Sequence, residues 1–243
     1  MDRFDNNIII LNGDDFKTYY PKYDSLLRND SRSTAEIVQP YSNFVVNELK
    51  KEIMEKGYNV MVEGTMRTSE VPLNTAEEFK AYGYRVEAAV VSVNQFASRI
   101  GCVVRAEEDL AINGAGRTVN PLSHDEAYKN IPNTLEKLAN SKLFDNITIY
   151  TRDGKILSLG DEVVASYVKH REAINGDLYK SVINQIEQAK YLMTNRQALS
   201  NEFNELDKIK EGITNGFMQL SDKSTKITKE SEAKLNKERG FER

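Results

Sequence analysis

Cysteine occurs once in 243 residues, at Cys102, so no intramolecular disulfide can brace this chain. Long apolar runs are absent too: nothing approaches the roughly 18 consecutive apolar residues needed to cross a bilayer. No apolar segment follows Met1-Asp2-Arg3 to serve as a signal-peptide core. Basic charge is not in excess, with 33 Lys and Arg against 37 Asp and Glu and a formal net charge of −4. That balance excludes the basic surface on which nonspecific nucleic-acid binding depends. Internal repeats and low-complexity linkers are also lacking. The expectation is a cytoplasmic chain that works on neither nucleic acid nor membrane, long enough for one full domain and an appendage.

What is present is an alternation of short apolar runs with amphipathic stretches. Residues 7 to 11, around Ile8-Ile9-Ile10-Leu11, read as a buried strand. Pro40 to Lys56 reads as a helix capped by Tyr41-Ser42-Asn43, with Phe44, Val45, Leu49 and Ile53 at helical spacing and Gly57 closing it. Tyr58 to Val62 is the second strand. Thr75 to Tyr82 is a helix started by Pro72 and ended by Gly83, and Arg85 to Val93 is a third strand. Asn94 to Leu110 reads as a helix, Asn113-Gly114-Ala115-Gly116 as a loop, and Ser123 to Leu138 as a helix with Ser123 at its cap. Phe144 to Tyr150 is the fourth strand, Asp153-Gly154 a turn, and Lys155 to Leu159 a short extension. Strand, helix, strand, helix, strand implies an α/β fold built on one parallel sheet with right-handed crossovers.

Beyond about residue 160 the character changes. Leu199, Phe203, Leu206, Ile209, Ile213, Phe217 and Leu220 fall at intervals of three and four, forming one apolar stripe of a helical appendage over 161–222. Gly212 and Gly216 are expected to weaken its end, each by about 1 kcal/mol relative to alanine. Residues 223–243 are dominated by Lys, Glu, Ser and Asn and read as a disordered tail.

Two acidic segments mark where chemistry is expected. Asn12-Gly13-Asp14-Asp15-Phe16-Lys17 follows the first strand, and Glu63-Gly64-Thr65-Met66-Arg67-Thr68 follows the second. The carboxyl ends of parallel strands are where open α/β sheets bind ligands. Read by itself, Asn12-Gly13-Asp14 is a turn signal. Together with Pro21, Pro40-Tyr41-Ser42-Asn43 and Val71-Pro72, these segments, in this order over about residues 4 to 155, resemble the zeta toxin family. Members are P-loop kinases of bacterial toxin–antitoxin systems that use ATP and magnesium to phosphorylate the 3′-hydroxyl of UDP-N-acetylglucosamine.

The resemblance implies a role for each matching residue. Asp14 matches the general base that takes the proton of the sugar hydroxyl, and Glu63 the acid that binds Mg2+, often through water. Glu63 is equally suited to a helix N-terminus. Arg67 and Thr75 match positions that hold the nucleotide sugar, and Thr65 shares their loop. Asn47 stands where better-known members carry a glutamate, so an amide that donates and accepts replaces a carboxylate that only accepts. Arg105 and Arg117 match two arginines that neutralise the transferring phosphate, at a separation one residue shorter than in the family. His124 and Asp125 resemble a further family feature and read here as a helix cap. An antitoxin protein is the partner implied.

One family element is missing: the sequence holds no G-x-x-x-x-G-K-[ST] phosphate loop, and its Gly154-Lys155 pair is followed by Ile156. Met1-Asp2-Arg3-Phe4 reads as the end of the helix that follows that loop, so the chain is expected to begin inside a P-loop-kinase-like domain. A start placed too far downstream, a split protein and a degenerate remnant are the three explanations, the first being preferred. Loss of an interior strand predicts unpaired strand edges and uncovered apolar faces, and a chain inactive alone. A nonenzymatic sugar-nucleotide-binding or antitoxin-binding protein, and a kinase for another small hydroxyl substrate, are the alternatives.

Overall fold

The computed structural model describes residues 7–159 and 162–220, and of residues 31 and 32 the backbone alone. The expected tail over 223–243 and the Met1–Phe4 helix end lie outside the described residues. The chain divides into two compact units, Met1–Val93 with Arg105–Arg171, and Asn94–Val104 with Glu172–Arg243. The division therefore differs from a single cut near residue 160.

In the first unit, β1 (Ile9–Leu11) leads into a one-turn helix α1 (Gly13–Lys17), then α2 (Tyr23–Asn29), α3 (Ser31–Lys56), β2 (Val60–Val62), α4 (Glu70–Ala81) and β3 (Glu87–Val91). After α5 (Gln95–Asn113) come α6 (Pro121–Ser141), β4 (Asn146–Tyr150), β5 (Ile156–Leu159) and α7 (Val163–Glu172). The strands and helices alternate as the apolar runs require. The single parallel sheet does not form among the described residues: β1 pairs with β2 in parallel, and a separate sheet has the order β3-β4-β5. In that second sheet β3 and β4 are parallel, and β5 returns antiparallel to β4 across the Gly154 turn. Ile149 of β4 is fully buried in a core with Val90, Leu135, Leu138, Val163 and Tyr167, while Leu11, Ile53, Met54 and Phe79 form the core beneath β1.

The ladder directions show which strand edges are open. Ile9 donates to the Asn59 carbonyl and the Glu63 amide donates to the Leu11 carbonyl, both at 2.9 Å. Residues 59, 61 and 63 thus face β1, and the amides of Val60 and Val62 point the other way. By the same alternation, Val86 and Ser92 bond toward β4, so Glu87, Ala89 and Val91 turn their backbone groups outward. Met61 and Val62 are each 37 % exposed and Val91 54 %. Apolar strand residues left this open are unusual in an α/β sheet, whose two faces are ordinarily covered.

Three helix starts differ from expectation: α4 begins at Glu70, five residues before Thr75 and with Pro72 already inside its first turn, and α3 and α6 also start early. α3 begins nine residues before Pro40, which lies inside it; Asp30 supplies the cap, its Oδ1 accepting the Ser33 amide at 3.3 Å. An interior proline costs about 3 kcal/mol, and the burial of Thr34, Val38 and Ser42 on either side carries the helix through it. Tyr41-Ser42-Asn43 is consequently no cap. α6 is capped by Asn120, whose Oδ1 accepts the Leu122 amide at 2.9 Å, with Pro121 at the first helical position, so Ser123 is already inside.

The second unit takes the first half of α5, capped by Asn94 through the Phe96 amide at 3.0 Å, together with α8 (Gly176–Asn195), a 3-10 turn (Ser200–Phe203) and a helical run over 204–220. Leu206, Ile209 and Ile213 are buried, whereas Leu199 and Leu220 are exposed, so the apolar stripe is shorter than its sequence period. Gly212 and Gly216 are packing residues rather than weak points. A Cβ on Gly212 would lie 2.4 Å from Phe96 Cε1, and one on Gly216 2.5 Å from Ile174 Cδ1.

Candidate active site

β1 ends at Leu11, and the next residue caps α1: Asn12 Oδ1 accepts the Asp14 amide at 3.0 Å. The Asn-Gly signal therefore opens a helical turn rather than a hairpin. That turn places Lys17 one turn beyond Asp14, with Lys17 Nζ 2.9 Å from Asp14 Oδ1. Arg117, arriving from the loop after α5, sets Nη1 2.8 Å from Asp14 Oδ2. Each carboxylate oxygen thus has its own cation. Lys17 is buried, while the Asp14 side chain is 43 % exposed.

Burial is the largest single influence on Asp14 and raises its pKa, yet the Lys17 hydrogen bond and the charges of Arg117, Lys17 and Arg105 together hold the carboxyl below its ordinary value. Burial pushes the neighbouring Tyr23 phenol up, against the pull of Arg117. Behind this group, the fully buried Ser42 hydroxyl of α3 donates to the Gly13 carbonyl. The backbone entering Asp14 is thereby tied to a long helix.

A cavity of about 500 Å3 opens onto these residues, walled by Asn12, Asp14 and Thr18 on one side, Tyr23, Asp24 and Arg28 of α2 on another, and Asp109 and Asn113 at the end of α5 with Arg117 of the loop that follows. A cation-clamped carboxylate on the wall of a polar cleft can orient a hydroxyl and accept its proton. An ionised carboxylate offers about four acceptor sites, so two cations leave room for a hydroxyl.

Of the residues expected from sequence, Asp14 and Arg117 are in direct contact, and the charge of Arg105 on α5 reaches Asp14. Glu63 stands at the same carboxyl end of the β1-β2 sheet, its amide on Leu11, with its side chain exposed. Thr65 and Arg67 are exposed in the loop that follows, on either side of Met66, which takes a left-handed φ of 54° and packs on the core of the β3-β4 sheet. Thr75 is half-buried on α4 and Asn47 exposed on α3. None of Asn47, Thr65, Arg67 and Thr75 lines the cavity. His124 and Asp125 do not cap α6: His124 Nδ1 lies 3.1 Å from Asp125 Oδ1, and its ring stacks on Tyr128.

Lys17 and Tyr23 gained no role from sequence, and Ser42 was read only as part of a helix cap. Lys17 was legible in principle, since an acid and a base three apart on a helix meet. Ser42 acts 29 residues away from Gly13 and left no local signal.

An α/β domain with a carboxylate and two cations gathered at the carboxyl end of a parallel strand pair presents its polar groups where such folds bind ligands. The zeta toxin family model matches residues 1–163, and the chain belongs to that family. It is 31% identical over 177 residues to Toxin zeta of Enterococcus hirae, covering 72% of this chain and 61% of that protein. The Streptococcus pyogenes Toxin zeta is 30% identical over the same length and shares. Toxin PezT of Streptococcus pneumoniae serotype 4 is 32% identical over 152 residues, 62% of this chain and 60% of that protein. This chain thus spans about three fifths of the length of these relatives. The fold matches a solved structure of the PezAT chromosomal toxin–antitoxin system of Streptococcus pneumoniae with a TM-score of 0.68, covering 79% of this chain and 78% of that one at 24% sequence identity.

Proposed function

We propose that these residues form the sugar-nucleotide half of a kinase that transfers the γ-phosphoryl group of ATP to the 3′-hydroxyl of UDP-N-acetylglucosamine. The observation that carries this reading is the Asp14 carboxylate held between Lys17 and Arg117 on the wall of the cavity. Phosphoryl transfer demands positioning and charge stabilisation more than covalent help. Asp14, ionised at neutral pH, receives the hydroxyl proton as the new O–P bond forms and the bond from the γ-phosphorus to the bridging oxygen breaks, ADP leaving; Arg117 and Arg105 balance charge on the transferring group. Asn47, Thr65, Arg67 and Thr75 hold the nucleotide sugar in this reading.

Glu63 suits a magnesium ion carried in on the phosphates of ATP. Such ions keep several waters and take only one or two protein carboxylates, and no group of three or more acidic, His or Cys ligands occurs among the described residues. When bound, the ion would neutralise charge on the β- and γ-phosphates.

The reading requires a phosphate loop that these 243 residues do not encode. The outer edges of β2 and β3, which pair with no strand among the described residues, with Met61, Val62 and Val91 exposed beside them, support a strand and its loop supplied by polypeptide outside this sequence. The same edges favour a second reading, in which the chain alone binds a sugar nucleotide or an antitoxin without turnover. Labelled-phosphate transfer from ATP to UDP-N-acetylglucosamine separates the two. Transfer is expected from a polypeptide that joins a glycine-rich Lys-Ser or Lys-Thr loop segment to these residues, and none from the 243 residues alone. Transfer to other hydroxyl compounds with none to UDP-N-acetylglucosamine would reject the substrate.

A further inference from the structure

Arg117 reaches Asp14 from a loop whose course is set by two glycines with different jobs. Gly114 adopts a φ of +70° and its amide bonds to the Leu110 carbonyl at 3.0 Å, turning the chain out of α5. A glycine at this helix-ending position is the ordinary device, because no Cβ opposes the left-handed conformation. Gly116 is different. Its backbone passes so close to the second half of α5 that a Cβ would fall 2.0 Å from the Ala106 carbonyl oxygen, 3.0 Å from its carbon and 3.2 Å from Leu110 Cβ. Two of the three obstructing atoms are helix backbone, which cannot rotate aside as a side chain end can. Any larger residue must lift the loop off α5.

The residue lifted with it is Arg117, whose Nη1 rests 2.8 Å from Asp14 Oδ2. Arg117 shares the cavity wall with Asp109, Asn113 and Ala115, all on or just after the end of α5. Its reach is therefore referred to the helix against which Gly116 lies. We propose that Gly116 is a positioning residue: its direct contact with the Ala106 carbonyl fixes the root of Arg117 so that the guanidinium closes on Asp14. No bond to substrate is involved, and the claim deepens the reading of Asp14 and Arg117 as a working pair.

The test follows the Asp14 carboxyl by carbon NMR titration in the 243-residue chain, with no nucleotide or sugar present. The groups facing that carboxyl are Lys17, Arg117, Arg105 and Tyr23. The variants are G116A, R117A and the double variant, with G64A as a control, since nothing lies within 4 Å of a Cβ there. In G116A the Asp14 pKa should rise to the value found in R117A, and the double variant should titrate like R117A alone; G64A should titrate like the wild type. An unchanged Asp14 in G116A, or a double variant shifted beyond R117A by the increment of G116A, would overturn the proposal. Loss of fold in G116A while R117A stays folded would overturn it as well, because the glycine would then serve the fold and not the arginine. Since the readout is a titration rather than turnover, failure of the kinase reading leaves this result intact, and the reverse also holds.

Discussion

The ammonium of Lys17 is buried and has Oδ1 of Asp14 at 2.9 Å as its counter-charge. A buried cation with a half-exposed partner ties stability to the charge on that partner. Asp14→Asn removes the charge while keeping the shape. Breaking a buried pair from one side costs about 3 to 5 kcal/mol, and solvent around Asp14 reduces this to about 1 to 3 kcal/mol. Urea unfolding at pH 7 measures the loss.

The pH dependence carries the same signature. The Lys17 hydrogen bond and the nearby arginine charges outweigh burial and hold the Asp14 carboxyl below its ordinary value in the folded protein, so its contribution is complete above the ordinary carboxylate range and fades as pH falls through the folded pKa. The stability gap between wild type and Asp14→Asn should be constant from pH 8 to about pH 5 and shrink toward pH 2. A gap that widens in acid would show Asp14 to be raised instead.

Ser42→Ala removes the buried hydroxyl through which α3 donates to the Gly13 carbonyl. An acceptor left dry costs about 1 to 3 kcal/mol. Thermal unfolding should register that loss. The Asp14 carbon resonance should also broaden, since the turn that carries it is no longer fastened.

In a kinase completed by a phosphate loop, Asp14→Asn should lower kcat by about 10² to 10⁴ with little change in the KM for the sugar nucleotide. A rise in KM with kcat unchanged would instead mark Asp14 as a binding residue.

Gly212→Ala sets two effects against each other. Helix propensity favours alanine by about 1 kcal/mol, but the new Cβ meets the Phe96 ring at 2.4 Å, and overpacking costs about 1 to 3 kcal/mol. Net destabilisation of about 1 kcal/mol is expected, and Gly212→Ala combined with Phe96→Leu should recover part of it. A stabilised single variant would return Gly212 to the role its sequence context suggested.

What the sequence made legible follows from local physics. Short β-branched runs gave β1 to β4 because strand pairing and burial both select them, and Asn94 and Gly83 mark helix ends by capping chemistry that acts over three or four residues. Asp14 was legible through its motif. The start of α3 was not, because Pro40 signals a break and only the burial of Val38 and Ser42 overrides it. Asn120-Pro121 held a readable cap that Ser123 obscured. The Arg117–Asp14 pair spans more than a hundred residues, and no local rule reports a contact of that range. Gly212 and Gly216 misled for the same reason: propensity is a property of the helix itself, and what they face are side chains outside it, Phe96 on α5 and Ile174 in the loop before α8.

The outward-turned amides of Val60 and Val62 have a consequence for how this polypeptide behaves in a cell. Among the described residues no strand borders this edge, and such a border is a template for any extended chain that comes near. Made with a polypeptide that pairs against this edge, the protein should give a larger soluble yield than when made by itself. Solubility on co-expression thus becomes a genetic screen for whatever polypeptide fits against β2.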